Sequence, residues 1–538
     1  MQNQVFLKQN VVIEPMVNNW YAWTHLIYPP TLAMEIANRQ LKIIESYIEE
    51  PEVHRRALKL PSMRGGPFMD FGGEDRSADV NRLKESTLGL DKLLELSNAI
   101  HDLDEMLTEN TDGHSLQEVY EKVPDPLKGF VELYYDRRNN PGFRFFEPLW
   151  YKSEYYNKNL QSIAVWLTEN DERPFCLSTP FVGETDKLHL PISFDHEGID
   201  RLSRMRRTAD SYHQIAQLLG ITPEQEPHFR TLFTTEAPPP YKEYHGDKIR
   251  MRYFGHACIL LETSEVSILV DPLVSYYGYQ TDLEHFSDAD LPEFIDYVLI
   301  THNHQDHILF ETLLPLRHRI KNIIVPGSRS GRLEDVDMKL LLNTIGFKNV
   351  TSILEMESIR FSDVEITSLP FTGEHCDLNI MSKSCYTISI SDFKLLFTAD
   401  SRIIEPRLYE HVSKQIGVVD VIFMGMECDG APLSWLYGPL FSKEVSHSQD
   451  QSRRLSGSNC QEGMQLIDIF KPSEVYVYAM GQEPWVEFIS SIKYTDESNP
   501  IVQSNKLVEK CKASGIMAER LFGEKEILYN KKDMMILD

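Results

Sequence analysis

Six consecutive positions, His302-Asn303-His304-Gln305-Asp306-His307, constrain this chain more than any other stretch. They follow an apolar run, Asp296-Tyr-Val-Leu-Ile300, whose pattern predicts a buried strand. A strand end is a rigid support, and the loop leaving it can aim several side chains into one pocket. Side chains at i and i+2 can grip one metal ion, and the Asp–His pair that follows can grip a second. The plainer alternative is a polar loop with chance histidines. Three imidazoles and a carboxylate on an apolar strand end argue for metal instead.

The 538-residue chain exceeds a single core, since domains usually hold about 100–200 residues. Thr235-Glu-Ala-Pro-Pro-Pro240 reads as a linker. It divides the chain into a large mixed α+β N-terminal domain, 1–240, and a C-terminal domain, 241–538. A hydrophobic fraction of 42% with 25% charged residues fits a globular protein. The net charge of -27 repels nucleic acid and anionic membrane, so neither is expected as a partner. No apolar run approaches the roughly 20 residues of a membrane span. Seven scattered cysteines without a C-x-x-C pair point to a reducing compartment. Met1-Gln-Asn-Gln-Val5 lacks the basic and apolar parts of a signal peptide, so a cytoplasmic protein is expected.

Along the first half, the periodicity predicts a helix from Thr31 to about Glu50 and one long helix from Leu83 to about Leu107. Strands are predicted at Gln161–Leu167 and Phe175–Leu177, and helix returns from Phe194 to Leu219. Arg64–Gly73 is glycine-rich but lacks the strand before and the Gly-Lys-Ser after that a phosphate cradle requires, so it reads as a plain loop. The run Arg201-Leu-Ser-Arg204-Met-Arg206-Arg207 is a basic cluster on an acidic chain. It reads either as a solvated face with local ion pairs or as a dock for an acidic partner. After the linker, strands at Ile249–Glu262, Ser267–Asp271, Ile323–Pro326, Val364–Leu369, Cys385–Ile390, Phe393–Thr398, Val418–Met424 and Glu474–Tyr478 alternate with helices. That alternation predicts an α/β fold of sheets covered by helices.

In this order, Gly255-His256-Ala257, Leu269-Val270-Asp271-Pro272, the motif His302 to His307, and Thr398-Ala399-Asp400-Ser401 resemble the metallo-β-lactamase superfamily from Ile249 onward. The resemblance implies a C-terminal αββα sandwich with a dinuclear metal site at one edge. It implies His302 and His304 on one metal, Asp306 and His307 on the other, and Asp400 between them. Asp271 and His256 would sit outside and orient ligands. Two departures stand out. Where hydrolases of the superfamily carry a third His, the turn reads Phe371-Thr-Gly373-Glu374-His375-Cys376, so either Glu374 or His375 could ligate. Neighbouring residues face different ways, so only one is expected to. After the last strand no His follows, and the nearest spare one is His447. With Glu374 the ligand set is oxygen-rich, which suits iron, whereas nitrogen-rich tetrahedral sets suit zinc.

This combination resembles the diiron branch, that of the β-hydroxylase of chloramphenicol biosynthesis, in which a large N-terminal domain precedes the metal domain. The stretch Met424–Pro439 adds to the likeness and places Glu427 as a carboxylate gating the site. The resemblance implies a diiron monooxygenase with two Fe ions under an oxo or carboxylate bridge. Dioxygen and electrons from a separate reductase are its co-substrates. Its substrate is an aminoacyl group held as a thioester on the phosphopantetheine arm of a nonribosomal peptide synthetase carrier domain, hydroxylated at the β-carbon in antibiotic biosynthesis. The N-terminal domain would serve substrate access, carrier docking or dimerisation. A homodimer is expected, and Arg201, Arg204, Arg206 and Arg207 are the expected carrier dock. The alternative is a dinuclear zinc hydrolase of the lactonase or phosphodiesterase type, with His375 as the ligand.

Overall fold

The computed structural model describes residues 4–109, 113–278 and 283–531. The C-terminal half is built on two seven-stranded sheets. The first runs, in spatial order, Val350–Ile353, Ile320–Pro326, Ile295–Leu299, Ser267–Val270, Ile259–Glu262, Ile249–Tyr253, Lys525–Tyr529. The second runs Ser358–Phe361, Val364–Leu369, Cys385–Ile390, Phe393–Phe397, Val421–Gly425, Glu474–Tyr478, Met517–Arg520. Their facing sides share one apolar layer that includes Ile259, Val270, Leu299, Ile388, Phe397 and Phe423. A second cluster, with Leu466, Ile467, Phe470 and Leu507, covers the outer face of the second sheet with helices. Strands such as Ser267–Val270 and Val421–Gly425 are buried along their whole length. Sheets covered on both faces read as continuous apolar runs, which is why these strands were legible.

The N-terminal half holds a four-stranded antiparallel sheet, Trp20–Tyr21, Val11–Val17, Gln161–Leu167, Leu188–Leu190, with helices packed against it. Four predicted elements differ here. The helix after Thr31 is Pro29–Glu35, a π-helical turn Ile36–Gln40, then Leu41–Glu49. Such turns recur at functional positions. This one sends Asn38 to the Pro439 carbonyl at 2.8 Å and Arg39 to the Trp435 carbonyl at 2.6 Å, across the seam between the halves. The long helix is two, Ser77–Leu88 and Asp91–Glu109, parted at Gly89 and Leu90. The stretch Phe194–Leu219 also divides, into Glu197–Arg204 and Tyr212–Leu218. Between them Ser211 pairs with Gln4 in a small sheet. Phe175–Leu177 forms a turn rather than a strand, and Cys176 N bonds Phe488 O at 2.9 Å instead of a neighbouring strand.

A buried ionic clamp joins the halves. Arg173 donates to both oxygens of Glu311 at 2.8 and 2.9 Å and to Glu14 at 3.2 Å, and lies 3.7 Å over the Phe488 ring. Glu311 is in the helix Phe310–Leu316, three residues beyond His307. The N-terminal half thus grips the helix that follows the metal-motif loop.

Candidate metal centre

The motif strand Ile295–Leu299 lies between two parallel neighbours and ends at the sandwich edge. His302, His304 and His307 leave it buried, each anchored by one ring nitrogen with the other free to face inward. His302 Nδ1 sits 3.0 Å from Thr301 Oγ1. That hydroxyl donates to Asp271 at 2.6 Å, so it accepts from His302 Nδ1–H and leaves the Nε2 lone pair inward. His307 Nδ1 is 2.8 Å from Asp271 Oδ2, which frees its Nε2 to face Asp400 Oδ2 at 3.1 Å. His304 Nε2 meets the Tyr437 hydroxyl at 2.8 Å, and its Nδ1 faces inward. Carboxylate or hydroxyl anchors of this kind fix the tautomer and ring angle of a metal-binding imidazole.

The inward atoms converge. His302 Nε2 and His304 Nδ1 are 3.1 Å apart, and Glu374 Oε1 is 3.1 Å from the latter. Asp400 Oδ2 is 3.1 Å from His307 Nε2 and 3.8 Å from His302 Nε2, between the two subsites. Donor atoms group within 4.8 Å as His302–His304–Glu374–His375, His256–Asp306–His307 and His302–His307–Asp400. With the His304 proton on Nε2 and donated to Tyr437, two imidazole lone pairs meet here and a cation between them relieves their repulsion. Asp400 Oδ1 is buried without a hydrogen-bond partner, and Glu374 Oε2 has only His375 Nδ1 beside it at 2.6 Å. Buried polar atoms are ordinarily satisfied, so the Asp400 orphan fits a bound cation. Three carboxylates and three imidazoles suit a pair of divalent ions with iron-type preferences.

The flanking residues are disposed as follows. Gly481 N donates to His256 Nδ1 at 3.1 Å, which leaves the His256 proton on Nε2, 3.2 Å from Asp306 Oδ2. His256 therefore supports Asp306 from outside. His375 stacks on His304 at 4.4 Å with Nδ1 2.6 Å from Glu374 Oε2, and burial pushes its imidazole down to about 4. Burial alone would raise the Glu374 carboxyl, but the His304 and His375 imidazoles outweigh it and hold it low. Burial and the Asp400, Asp306 and Glu374 carboxylates push Glu427 well up. His447 is exposed and belongs to none of these groups. His256, Asp271, Glu374 and Ala399 have φ of +49°, +41°, +62° and +46°. Strained backbone that clusters this way is a mark of functional sites.

A cavity of about 380 Å³ opens onto the centre. His304, Asp306, Glu374, Asp400 and Glu427 line it, together with Arg64, Gly65, Trp435 and Tyr494. Sequence reasoning missed Tyr437 and the loop at Gly65, both of which act across long chain separations. The four arginines do not form one patch. Arg201 pairs with Asp210 at 2.7 Å, Arg206 is buried on the Gln9 and Val11 carbonyls, Arg207 donates to the Leu291 carbonyl at 2.9 Å, and Arg204 alone is exposed.

Comparison with known proteins follows the same division. A profile described as a diiron non-heme β-hydroxylase N-terminal domain matches residues 6–238, and a β-lactamase superfamily domain matches 250–428. The chain is 39% identical over 524 residues to the 4-amino-L-phenylalanyl-(CmlP-peptidyl-carrier-protein) 3-hydroxylase of Streptomyces venezuelae, covering 96% of this chain and 98% of the relative. The crystal structure of CmlA, a diiron β-hydroxylase from Streptomyces venezuelae, superposes with a TM-score of 0.92 at 36% identity, over 98% of this chain and all of that one. A mutant of CmlA superposes with a TM-score of 0.89. A buried oxygen-rich dinuclear centre, an N-terminal half matched by the hydroxylase profile and end-to-end similarity converge: the chain belongs to the diiron non-heme β-hydroxylase family.

Proposed function

We propose that the chain hydroxylates the β-carbon of an amino acid held as a thioester on the phosphopantetheine arm of a peptidyl carrier domain. The observation that carries this reading is the Glu374 carboxylate, 3.1 Å from His304 Nδ1 inside the buried ligand group. His302, His304 and Glu374 would hold one iron, Asp306 and His307 the other, and Asp400 both. The bound iron pair supplies dioxygen activation and cleavage of the substrate C–H bond. The overall balance is one C–H and one dioxygen, with two electrons and two protons, to one C–OH and one water. The electrons require an external reductase.

This chain's own groups hold and orient. Asp271 fixes His307 and, through Thr301, His302. Tyr437 fixes His304, and His256 fixes Asp306. Glu427 lines the cavity as an acid available to bond substrate or water at the approach to the metals. The loop at Gly65 and Trp435 line the same cavity. The four-arginine run is a poor carrier dock, because three members are engaged within the chain. The test is incubation of the iron-loaded chain and a reductant with aminoacyl-loaded carrier under labelled dioxygen. Mass spectrometry should find one labelled oxygen on the aminoacyl group. Hydrolysis of the thioester or another ester with no oxygen incorporated would favour the zinc-hydrolase reading, for which His375 lies in the same ligand group.

A further inference from the structure

Trp435 and the loop Arg64–Pro67 separate two cavities. One holds the metal centre. The other, about 470 Å³, lies across the same indole and shares Gly65, Pro432 and Trp435 with the first. Its other walls include Ile43, Phe175 and Leu177, and two cations line it, Lys42 and Arg39, the latter engaged by the Trp435 and Leu436 carbonyls. The partition is thin. Trp435 Nε1 donates to Gly65 O at 2.8 Å, and Phe175 stacks on the indole with centroids 6.0 Å apart. Gly65 has φ +67°, and a Cβ there would meet Ser491 at 3.2 Å and the indole nitrogen at 3.3 Å. The positive φ and these close contacts favour glycine where the chain passes over the indole. Lys42 is exposed and makes no ion pair among the described residues.

We infer that the second cavity seats the pantetheine portion of the carrier's arm, with its phosphate at Lys42, and that the Trp435–Gly65 contact is the threshold the thioester crosses to reach the metals. This rests on the reaction proposed above. Such an arm presents, in order, a phosphate, an apolar dimethyl group and two amides. The cavity presents an ammonium at Lys42, apolar walls and, at Trp435 and Gly65, an indole N–H and a carbonyl that are bonded to each other and would have to part for the arm to pass. Lysine binds phosphate as a point charge. The competing route is the open mouth of the metal cavity beside Arg64, which is also exposed and without an ion pair among the described residues.

The test is calorimetric titration of the iron-loaded full chain with 4′-phosphopantetheine and with pantetheine. The wild type should prefer the phosphorylated compound by about fivefold, the worth of one exposed charge pair. Lys42→Glu should abolish the preference and Arg64→Glu should retain it. Equal binding of the two compounds by the wild type overturns the proposal. So does a preference that survives in Lys42→Glu, or one that disappears in Arg64→Glu alone. The titration needs no turnover, so it judges the route separately from the reaction. A wild type that hydroxylates loaded carrier yet shows no phosphate preference keeps the function and loses this site.

Discussion

Replacing Asp271 with Asn tests how far the metal centre depends on a residue that touches no metal. Asp271 is fully buried and accepts three hydrogen bonds: from Thr301 N at 2.7 Å, Thr301 Oγ1 at 2.6 Å and His307 Nδ1 at 2.8 Å. An Asn can keep its oxygen on Thr301 N. Its NH₂ group then faces two donors where Oδ2 accepted from both. Two charge-assisted bonds are lost, each worth about 1.5–3 kcal/mol. His307 loses its tautomer anchor, and the Thr301 link to His302 loses its far end. Loss of such an outer partner costs roughly 10–100-fold in metal affinity, or about 1.4–2.8 kcal/mol. Iron binding at the Asp306–His307 subsite should weaken by that factor in chelator competition. The metal-free variant should unfold at lower denaturant by about 2 kcal/mol or more. Wild-type iron affinity in the variant would refute the reasoning.

Tyr437→Phe should weaken iron binding less than Asp271→Asn does, since it removes one neutral partner of His304 and leaves the ring packed. Chelator competition on the two variants side by side gives the order. Arg173→Ala should cost about 3–5 kcal/mol in urea unfolding, because Glu311 is left buried without its cation, while Glu14 keeps Lys187 at 3.2 Å. Glu147 gives a pH prediction away from the metals. Burial raises its carboxyl from 4.5 to about 8, so the folded chain holds this proton more tightly than the unfolded chain does. Its stabilising contribution is complete below pH 4.5 and is lost as pH rises towards about 8. Glu147→Gln should flatten that part of the stability–pH curve, as read by denaturant midpoints across the range.

The run His302–His307 was legible as a candidate ligand group because its members are neighbours in sequence and share one rigid strand end, and the fold brings their side chains together. Glu374 was legible only as one of two choices, because the turn that aims it at φ +62° has no sequence signature of its own. Tyr437 was not legible, since its bond to His304 spans 133 positions. The loop at Gly65 showed its glycines, but its bond to Trp435 joins residues 370 positions apart. The arginine run does not form one patch, because a chain that turns at Met205 spreads consecutive side chains over different partners. Arg206 points inward to main-chain carbonyls, while Arg204 points to solvent. In the N-terminal half, helical periodicity continued across Gly89 although the helix did not, because the apolar spacing of both segments serves one core.

The metal content of Glu374→Ala and His375→Ala, measured by elemental analysis beside the wild type, bears most directly on the centre. The account predicts two irons per wild-type chain, a Glu374→Ala protein that loses iron, and a His375→Ala protein that keeps both. Two zincs in the wild type, or metal lost with His375 and kept without Glu374, would contradict it.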